Sequence, residues 1–330
     1  MAKSRKERRL RRISSKKSKD KDKDEEPEEE QPKQDKKVYA NKFAEIYDVE
    51  YKKLLLIPIL LLLGAFLVIG LNIVQTGDFM NKAVSLKGGI TLTVPSEETI
   101  NVADLESFLE SNIKQGDVSV RQLTNLEQQI GVIIEASDIS EDKLISLVEQ
   151  NIGQIQDYSV ETIGPSLGAS FFRQTMFAVL LAFVFMGLVV FWYFRTFVPS
   201  IAVILAAFSD IVVTLAIVDV MGMKIGTAGI AAFLMLIGYS VDTDILLSTR
   251  VLKTKEGTIM DRVYSAMKTG LTMNATTIVA VGIALIVSDS EVISQIMIII
   301  FIGLLVDIIN TWLQNVGILR YYLERKGNNE

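Results

Sequence analysis

Six long apolar segments constrain the fold of this chain more than any other feature of its sequence. A helix needs about 20 predominantly apolar residues to cross roughly 30 Å of hydrocarbon, and each segment is long enough. They cover residues 54–74, 174–194, 198–220, 227–249, 270–288 and 292–317. The sequence therefore predicts a polytopic α-helical membrane protein with six transmembrane helices, the last five grouped in a membrane domain at 174–320.

Lysine and arginine are distributed unevenly around these segments, and their placement sets the predicted orientation. Most of them lie in residues 1–53, at Arg195, in the loop 250–268 and in the C-terminal tail 321–330, all of which fall on one side. Basic residues are enriched in cytoplasmic loops. We therefore predict a multi-pass protein of the cytoplasmic (plasma) membrane with both termini in the cytoplasm.

The first 53 residues have the composition of a charged, disordered cytoplasmic tail. Residues 1–19 are strongly basic and residues 20–35 become acidic, and such a run cannot bury an apolar core. One interpretation is a solvated tail that only enforces the topology. The other is a tail that contacts anionic lipid or the ribosome.

The residue types that are missing from the sequence limit the reactions and metal sites that the protein can support. Cysteine and histidine are both absent, which removes disulfides, thiolate metal sites and the commonest general base. Asp242 and Asp244 could in principle form the acid pair of an intramembrane aspartyl protease. However, the Gly-x-Gly-Asp pattern of such proteases is missing, because the sequence there reads GYSVDTD. We therefore expect a protein that is not an enzyme and needs no cofactor or metal.

A long segment, 75–173, separates the first two apolar segments and is predicted to fold outside the membrane on the extracytoplasmic side. Its alternating stretches predict strands at 82–94, 117–123, 128–136 and 157–163. Two amphipathic stretches predict helices, at 101–113 with Asn101 as the N-cap, and at 138–152 with Asp138 and Glu141 as a capping box. The order β-α-β-β-α-β is that of an α+β ferredoxin-like domain.

Two glycine motifs bracket this domain. Gly88 and Gly89 interrupt a strand pattern, which indicates a bulge or a close approach of the backbone. Gly164, Pro165 and Gly168 connect the last predicted strand to the second apolar segment, and they are typical of a hinge, a tight turn or an ordinary connector.

Several polar residues fall inside the apolar segments. Counted at ~1.5 Å per helical residue from the cytoplasmic ends, they lie between about 9 and 15 Å deep. They are Asp210, Asp242, Asp244, Asn274 and Asp307. Such residues either form an ion or proton pathway or hold helices together as an interhelical polar network.

Asp242 and Asp244 are predicted to point in nearly opposite directions, because two positions on a helix differ by about 200°. Asp242 is predicted to face Asp210 in the bundle, which leaves Asp244 toward a partner or toward water. The alternative to an ion role is that both acids are satisfied by polar neighbours such as Thr243, Ser209, Tyr239 or Asn274.

An ordered series of short motifs resembles the SecF family. The series consists of KGGITL (87–92), IGPSLG (163–168), Ser209–Asp210, GYSVDTDILLSTRV (238–251) and TMNATT (272–277), and the resemblance runs from about residue 45 to 320. It implies an RND-like membrane fold that works with a SecD-like subunit as a heterodimer, and with a SecYE-type translocon. The implied role is to assist Sec-dependent translocation of preproteins across or into the membrane.

The sequence departs from the bacterial pattern of that family at its acids. Thr243 stands where bacterial relatives have the proton-linked Asp, and the acids occupy the flanking positions 242 and 244. Thr269 replaces a basic residue, and Ser209–Asp210 replaces a His-Asp pair. These differences resemble the archaeal branch. The expected function is export assistance, coupled to an ion gradient through Asp210 and Asp242, and the alternative is a stand-alone RND-type proton-coupled exporter of lipid or small molecules.

Overall fold

The structure is a computed structural model that describes residues 47–48, 50–96, 98–113, 116–125, 128–155, 157–254, 256–288 and 290–327. Within them, six helical segments are long and apolar enough to cross a membrane. These spans are Tyr51–Thr76, Pro165–Phe194, Phe197–Val220, Thr227–Lys253, Ile259–Val287 and Val292–Lys326. The prediction of a multi-pass protein with six membrane helices is confirmed, while most of the charged N-terminal tail lies outside the described residues.

Helices and strands follow one another along the chain in a simple order. The helices are α1 (Tyr51–Leu54), α2 (Leu56–Thr76), α3 (Val84–Lys87), α4 (Val102–Asn112), α5 (Glu141–Ile152), α6 (Pro165–Phe194), α7 (Phe197–Val220), α8 (Thr227–Lys253), α9 (Ile259–Val287), α10 (Glu291–Ile309) and α11 (Val316–Gly327), with a π-helical segment, Asn310–Asn315, between the last two. The strands are β1 (Gly89–Pro95), β2 (Val118–Asn125), β3 (Gln128–Ala136) and β4 (Ser159–Ile163).

The second and fifth spans begin earlier than the apolar pattern indicates. The second starts at Pro165, and the fifth starts at Ile259 behind a capping box formed by Thr258 and Asp261. Hydropathy detects only the part of a helix that crosses hydrocarbon. The helices therefore continue past that part into polar sequence.

A four-stranded sheet domain lies between the first and second spans. Its strand order is β2-β3-β1-β4, and all neighbouring strands are antiparallel. Alternate residues of β1, such as Leu92, point into a core that also contains Leu105 and Leu109 of α4 and Leu144 and Val148 of α5. The sheet is therefore covered by two helices that bury its apolar side chains.

Two local predictions in this domain are wrong, and one is confirmed. Residues Val84–Lys87 are helical and the first strand starts only at Gly89, because Gly88 and Gly89 have positive φ angles that break the extended run. Asp138 has a φ of 54° and does not cap α5, whose N-cap is Ser140 without a side-chain bond. Asn101 caps α4 as predicted, since its side chain accepts from two backbone N–H groups.

The membrane part has a centre and a periphery. Most of the third and fourth spans is buried inside the chain, whereas most of the first, second and fifth is exposed on its surface. Leu236 of α8 packs with Ile299 and Leu304 of α10 in one of the central apolar clusters. The third, fourth and sixth spans therefore form the core around which the candidate site is built.

Candidate functional site

The third span brings Asp210 into the centre of the bundle. Asp210 is fully buried and accepts a short hydrogen bond from the Ser240 hydroxyl of the fourth span. Its second oxygen accepts from the amide of Asn310 at 2.7 Å. One carboxylate thus joins the third, fourth and sixth spans.

The fourth span presents Asp244 to the core, and the prediction that Asp242 faces Asp210 is wrong. Asp244 and Ser240 are fully buried, whereas Asp242 is exposed. Positions 240 and 244 lie one turn apart on the same face of α8, and position 242 points away from both. Asp244 accepts from Thr311 at 3.0 Å and from Asn315 at 2.7 Å, which fixes it against the sixth span.

The fifth and sixth spans complete the cluster. Asp307 is fully buried and accepts from the Asn274 amide at 2.9 Å. Thr311 lies 3.1 Å from the other oxygen of Asp307. The structure therefore brings together four of the five predicted polar residues, Asp210, Asp244, Asn274 and Asp307, and separates Asp242 from them.

The π-helical segment of the sixth span supplies most of the hydrogen-bond partners of the carboxyl groups that the sequence did not predict. Asn310, Thr311 and Asn315 bind the carboxylates, and Gln314 accepts a hydrogen bond from the Ser209 hydroxyl at 3.3 Å. All four are buried. A π-helix places successive side chains differently from an α-helix and is frequent at functional sites. The polar run NTWLQN near the end of the last apolar segment was the available signal.

The electrostatics of the cluster are unusual for a membrane interior. Among the described residues, no Lys or Arg forms an ion pair with any of the three carboxyl groups. Burying several ionised carboxylates without a counter-charge is very costly. Protonation of one or more of these carboxyl groups removes that cost.

The hydrogen-bond count around Thr311 leads to the same conclusion. Its hydroxyl has one hydrogen, yet it lies within bonding distance of both Asp244 and Asp307. If both contacts are hydrogen bonds, one of the two carboxyl groups must carry a hydrogen itself. The free oxygen of Asp244, the Ser248 hydroxyl and the carbonyl oxygen of Asn315 are buried without a partner in the described protein, so they add further acceptor capacity.

The two glycine motifs meet at the base of the sheet domain. A Cβ on Gly88 would lie 2.6 Å from the Cα of Pro165, and a Cβ on Gly168 would lie 2.5 Å from the backbone nitrogen of Gly88. Gly164 is the N-cap of the second span and Pro165 its first residue, while Gly89 starts β1. The predicted close backbone approach is thus present, between the entry and the exit of the domain.

A groove of about 1050 Å³ opens at the far end of the domain, where β1 ends and β3 begins. Glu98, Asp104 and Asp157 lie along it, together with amide side chains and isoleucines, and none of its described lining residues is basic. The groove is thus acidic and partly apolar.

Comparisons with known proteins place the chain in a family of membrane proteins. The family described as "Protein export membrane protein SecD/SecF, C-terminal" matches residues 143–325, which is more than half of the chain. The chain belongs to the SecF family of protein-export membrane proteins. The resemblance seen in the motifs is confirmed, and the alternative of a stand-alone exporter is not favoured.

Relatives within the SecF family cover nearly the whole chain. It is 35% identical over 298 residues to the protein-export membrane protein SecF of Pyrococcus furiosus, covering 89% of this chain and 98% of the relative. It is 38% identical to SecF of Methanothermobacter thermautotrophicus (83% and 93% covered) and to SecF of Methanocaldococcus jannaschii (83% and 96% covered). These archaeal relatives fit the predicted archaeal branch.

A solved structure shows the same fold. SecDF from Thermus thermophilus, described as a translocon-associated membrane protein, superposes with a TM-score of 0.62 at 21% identity over 86% of this chain. The chain spans only 39% of the length of that SecDF chain. The likeness supports the fold of the membrane and sheet domains.

Proposed function

We propose that the chain works with a SecD-like subunit and a SecYE-type translocon, and helps preproteins across or into the membrane. SecF membership supports the export role. The length of the SecDF chain supports the partner, since this chain accounts for about two-fifths of it and the remainder would correspond to the second subunit. The six-span membrane fold with its extracytoplasmic sheet domain is proposed to be RND-like.

The proposed orientation puts both termini in the cytoplasm and the sheet domain outside. The basic residues of the tail and of the loop 250–268 support it through the positive-inside rule. The strand order β2-β3-β1-β4, with two helices on the sheet, supports the assignment of the domain as ferredoxin-like. The acidic groove at its far end is suited to an extended, positively charged part of an exported chain.

Export is proposed to be coupled to an ion gradient through the cluster of Asp210, Asp244 and Asp307. The observation that carries this proposal is that three buried carboxyl groups on three different spans are hydrogen-bonded to neighbouring polar side chains, and none of them is paired with a basic residue in the described part of the chain. Uptake or release of a cation changes the charge of the cluster. Spans that are held together by these bonds would then repack. Asn274 orients Asp307 in this scheme.

The test compares two acids that are two residues apart. In vesicles containing the translocon and the full complex, Asp244→Asn should abolish the stimulation of export by an ion gradient, whereas Asp242→Asn should keep most of it. Asp210→Asn should behave like Asp244→Asn. Full stimulation in both Asp244→Asn and Asp210→Asn, with normal protein levels, would refute the coupling.

The partner is tested separately by gentle purification from native membranes. Recovery of a SecD-like subunit in equal amount supports the proposal. A homotrimer without such a subunit would instead support the stand-alone exporter.

A further inference from the structure

The chain connects the sheet domain covalently to the first and second spans. Hydrogen bonds near its entry also attach the domain to the core of the membrane part. Just before the domain begins, Lys82 pairs with Ile225 in a parallel backbone bridge. The N–H of Ile225 donates to the Asn81 carbonyl at 2.7 Å, and the N–H of Ala83 donates to the Ile225 carbonyl at 2.9 Å. Ile225 lies two residues before Thr227, the first residue of the fourth span, so this pairing joins the entry of the domain to the start of α8.

Asp219 ties the same entry segment to the third span. It lies in the last turn of α7 and is almost fully buried. Its carboxylate accepts from the backbone N–H of Asn81 at 2.9 Å and from the side-chain amide of Asn72, in the first span, at 2.6 Å. Removing either oxygen would leave a partly buried donor without its acceptor.

Lys224 and Gln295 extend the bonding to the sheet and to the sixth span. The Lys224 ammonium donates to the carbonyl of Val118, the first residue of β2, at 2.7 Å. Gln295 of α10 donates to the Lys224 carbonyl at 2.7 Å. We call the set formed by Asn81, Asp219, Lys224, Ile225 and Gln295 the domain junction.

We propose that the domain junction transmits movements of the third, fourth and sixth spans to the sheet domain while staying closed. Asp219 and Gln295 lie in the third and sixth spans, and Ile225 lies just before the fourth; these three spans carry Asp210, Asp307 and Asp244. The other connection, through Gly88 and Gly168, is in backbone contact and leaves little room for the domain to swing independently. A shift of the core spans therefore moves the domain with them. Asp219 and Lys224 are positioning residues in this scheme, which rests on the proposed ion coupling.

The first experiment removes the hydrogen bond between the junction and β2. The measured quantity is the ratio of export with and without an ion gradient, in vesicles containing the full complex. Lys224→Met removes the bond to β2 but leaves the backbone pairing and the glycine contact, so it should lower this ratio part of the way toward the value of Asp244→Asn, while export without a gradient stays near the wild-type level. Lys224→Arg keeps a positively charged N–H donor at this position and should retain most of the stimulation. Full stimulation in Lys224→Met would overturn the proposal.

The second experiment locks the junction. The sequence has no cysteine, so the pair Lys82→Cys and Ile225→Cys gives a single disulfide. Paired backbone segments lie about 5 Å apart, within the range that a disulfide can bridge. The oxidised pair should show the same stimulation as the reduced pair. Loss of stimulation on oxidation, restored by a reductant, would show that the junction must open and would overturn the proposal.

A third measurement separates this inference from the ion coupling itself. If wild-type export shows no stimulation, the proposed coupling fails, and transmission is judged by hydrogen exchange in the full chain. Asp244→Asn should then change exchange of the β2 amides in the wild-type background by several-fold. The same substitution should change exchange of those amides by a smaller factor in Lys224→Met. An equal change in both backgrounds would overturn the proposal.

Discussion

The first and second spans are more apolar than the fourth, yet they are far less buried inside the chain. Leu60 and Leu180, on the two outer spans, are more than half exposed, whereas Asp210 and Asp244 of the inner spans are fully buried. In a water-soluble protein the leucines would be buried and the aspartates exposed. In a membrane, lipid solvates leucine as well as another helix does, so polar and small residues mark the interior. Hydropathy therefore locates the spans of this protein, and its polar exceptions locate the core.

The largest effect expected in the membrane part comes from filling its core at a glycine. Gly303 of the sixth span is buried against Leu236 of the fourth, and a Cβ there would lie 2.4 Å from a Leu236 methyl carbon. Gly303→Leu should therefore separate the two spans, at a cost of about 3 kcal/mol or more. Gly282→Leu on the peripheral fifth span meets no atom within 4 Å and should be tolerated.

For both glycine variants, we would measure the fraction of protein that stays monodisperse in mild detergent as the temperature is raised. If Gly282→Leu is as damaging as Gly303→Leu, the division into inner and peripheral spans is incorrect.

A second pair contrasts burial in the sheet domain with exposure in the membrane. Leu92 is fully buried in the sheet core, and Leu92→Ala should lower the free energy of unfolding of the domain by about 2–5 kcal/mol. Leu180→Ala on the second span should change stability little, because its side chain is 61% exposed and faces lipid in our assignment. Hydrogen exchange of β1 and β3 amides in the full chain measures the first effect, and thermal denaturation compares both variants. Equal losses would contradict the comparison.

The smallest expected effect is electrostatic and concerns the water-exposed surface of the domain. The Lys87 ammonium, hydrogen-bonded to Asp117, holds the pKa of that carboxyl below its ordinary value, against a smaller opposing effect of burial. A carboxyl with a lowered pKa stabilises the folded state above its ordinary pKa of about 3.8, and this contribution is lost as the pH falls through the lowered value. Because both side chains are about half exposed, the effect is small.

Lys87→Met should therefore shift acid unfolding of the domain to slightly higher pH, with little change at pH 7 and above beyond the loss of one ion pair. The pH dependence of hydrogen exchange of the β1 and β2 amides in the full chain measures it. Lys143→Met removes an exposed charge on α5 as a control, and an equal shift in that variant would show that general charge, and not the Lys87–Asp117 pair, is responsible.

The order of the elements was accessible from the sequence because it depends on local patterns. The strand 128–136 and the cap at Asn101 agree with the structure to the residue, since alternation and cap chemistry are both short-range. The prediction of a strand from residue 82 was wrong because two glycines with positive φ angles and the pairing with Ile225 override the alternation. The capping box at Asp138 was wrong because its left-handed backbone falls before the helix.

The divergence of Asp242 and Asp244, the six spans and the sheet domain between the first two can all be predicted from local sequence patterns. That Asp244 points inward, that Asn310, Thr311 and Asn315 hold the carboxylates, and that Lys224 reaches the sheet is known from the packed structure alone. The helical period fixes the angles between side chains of one helix. The rotation of that helix is set by the neighbours it packs against, and those neighbours are distant in sequence.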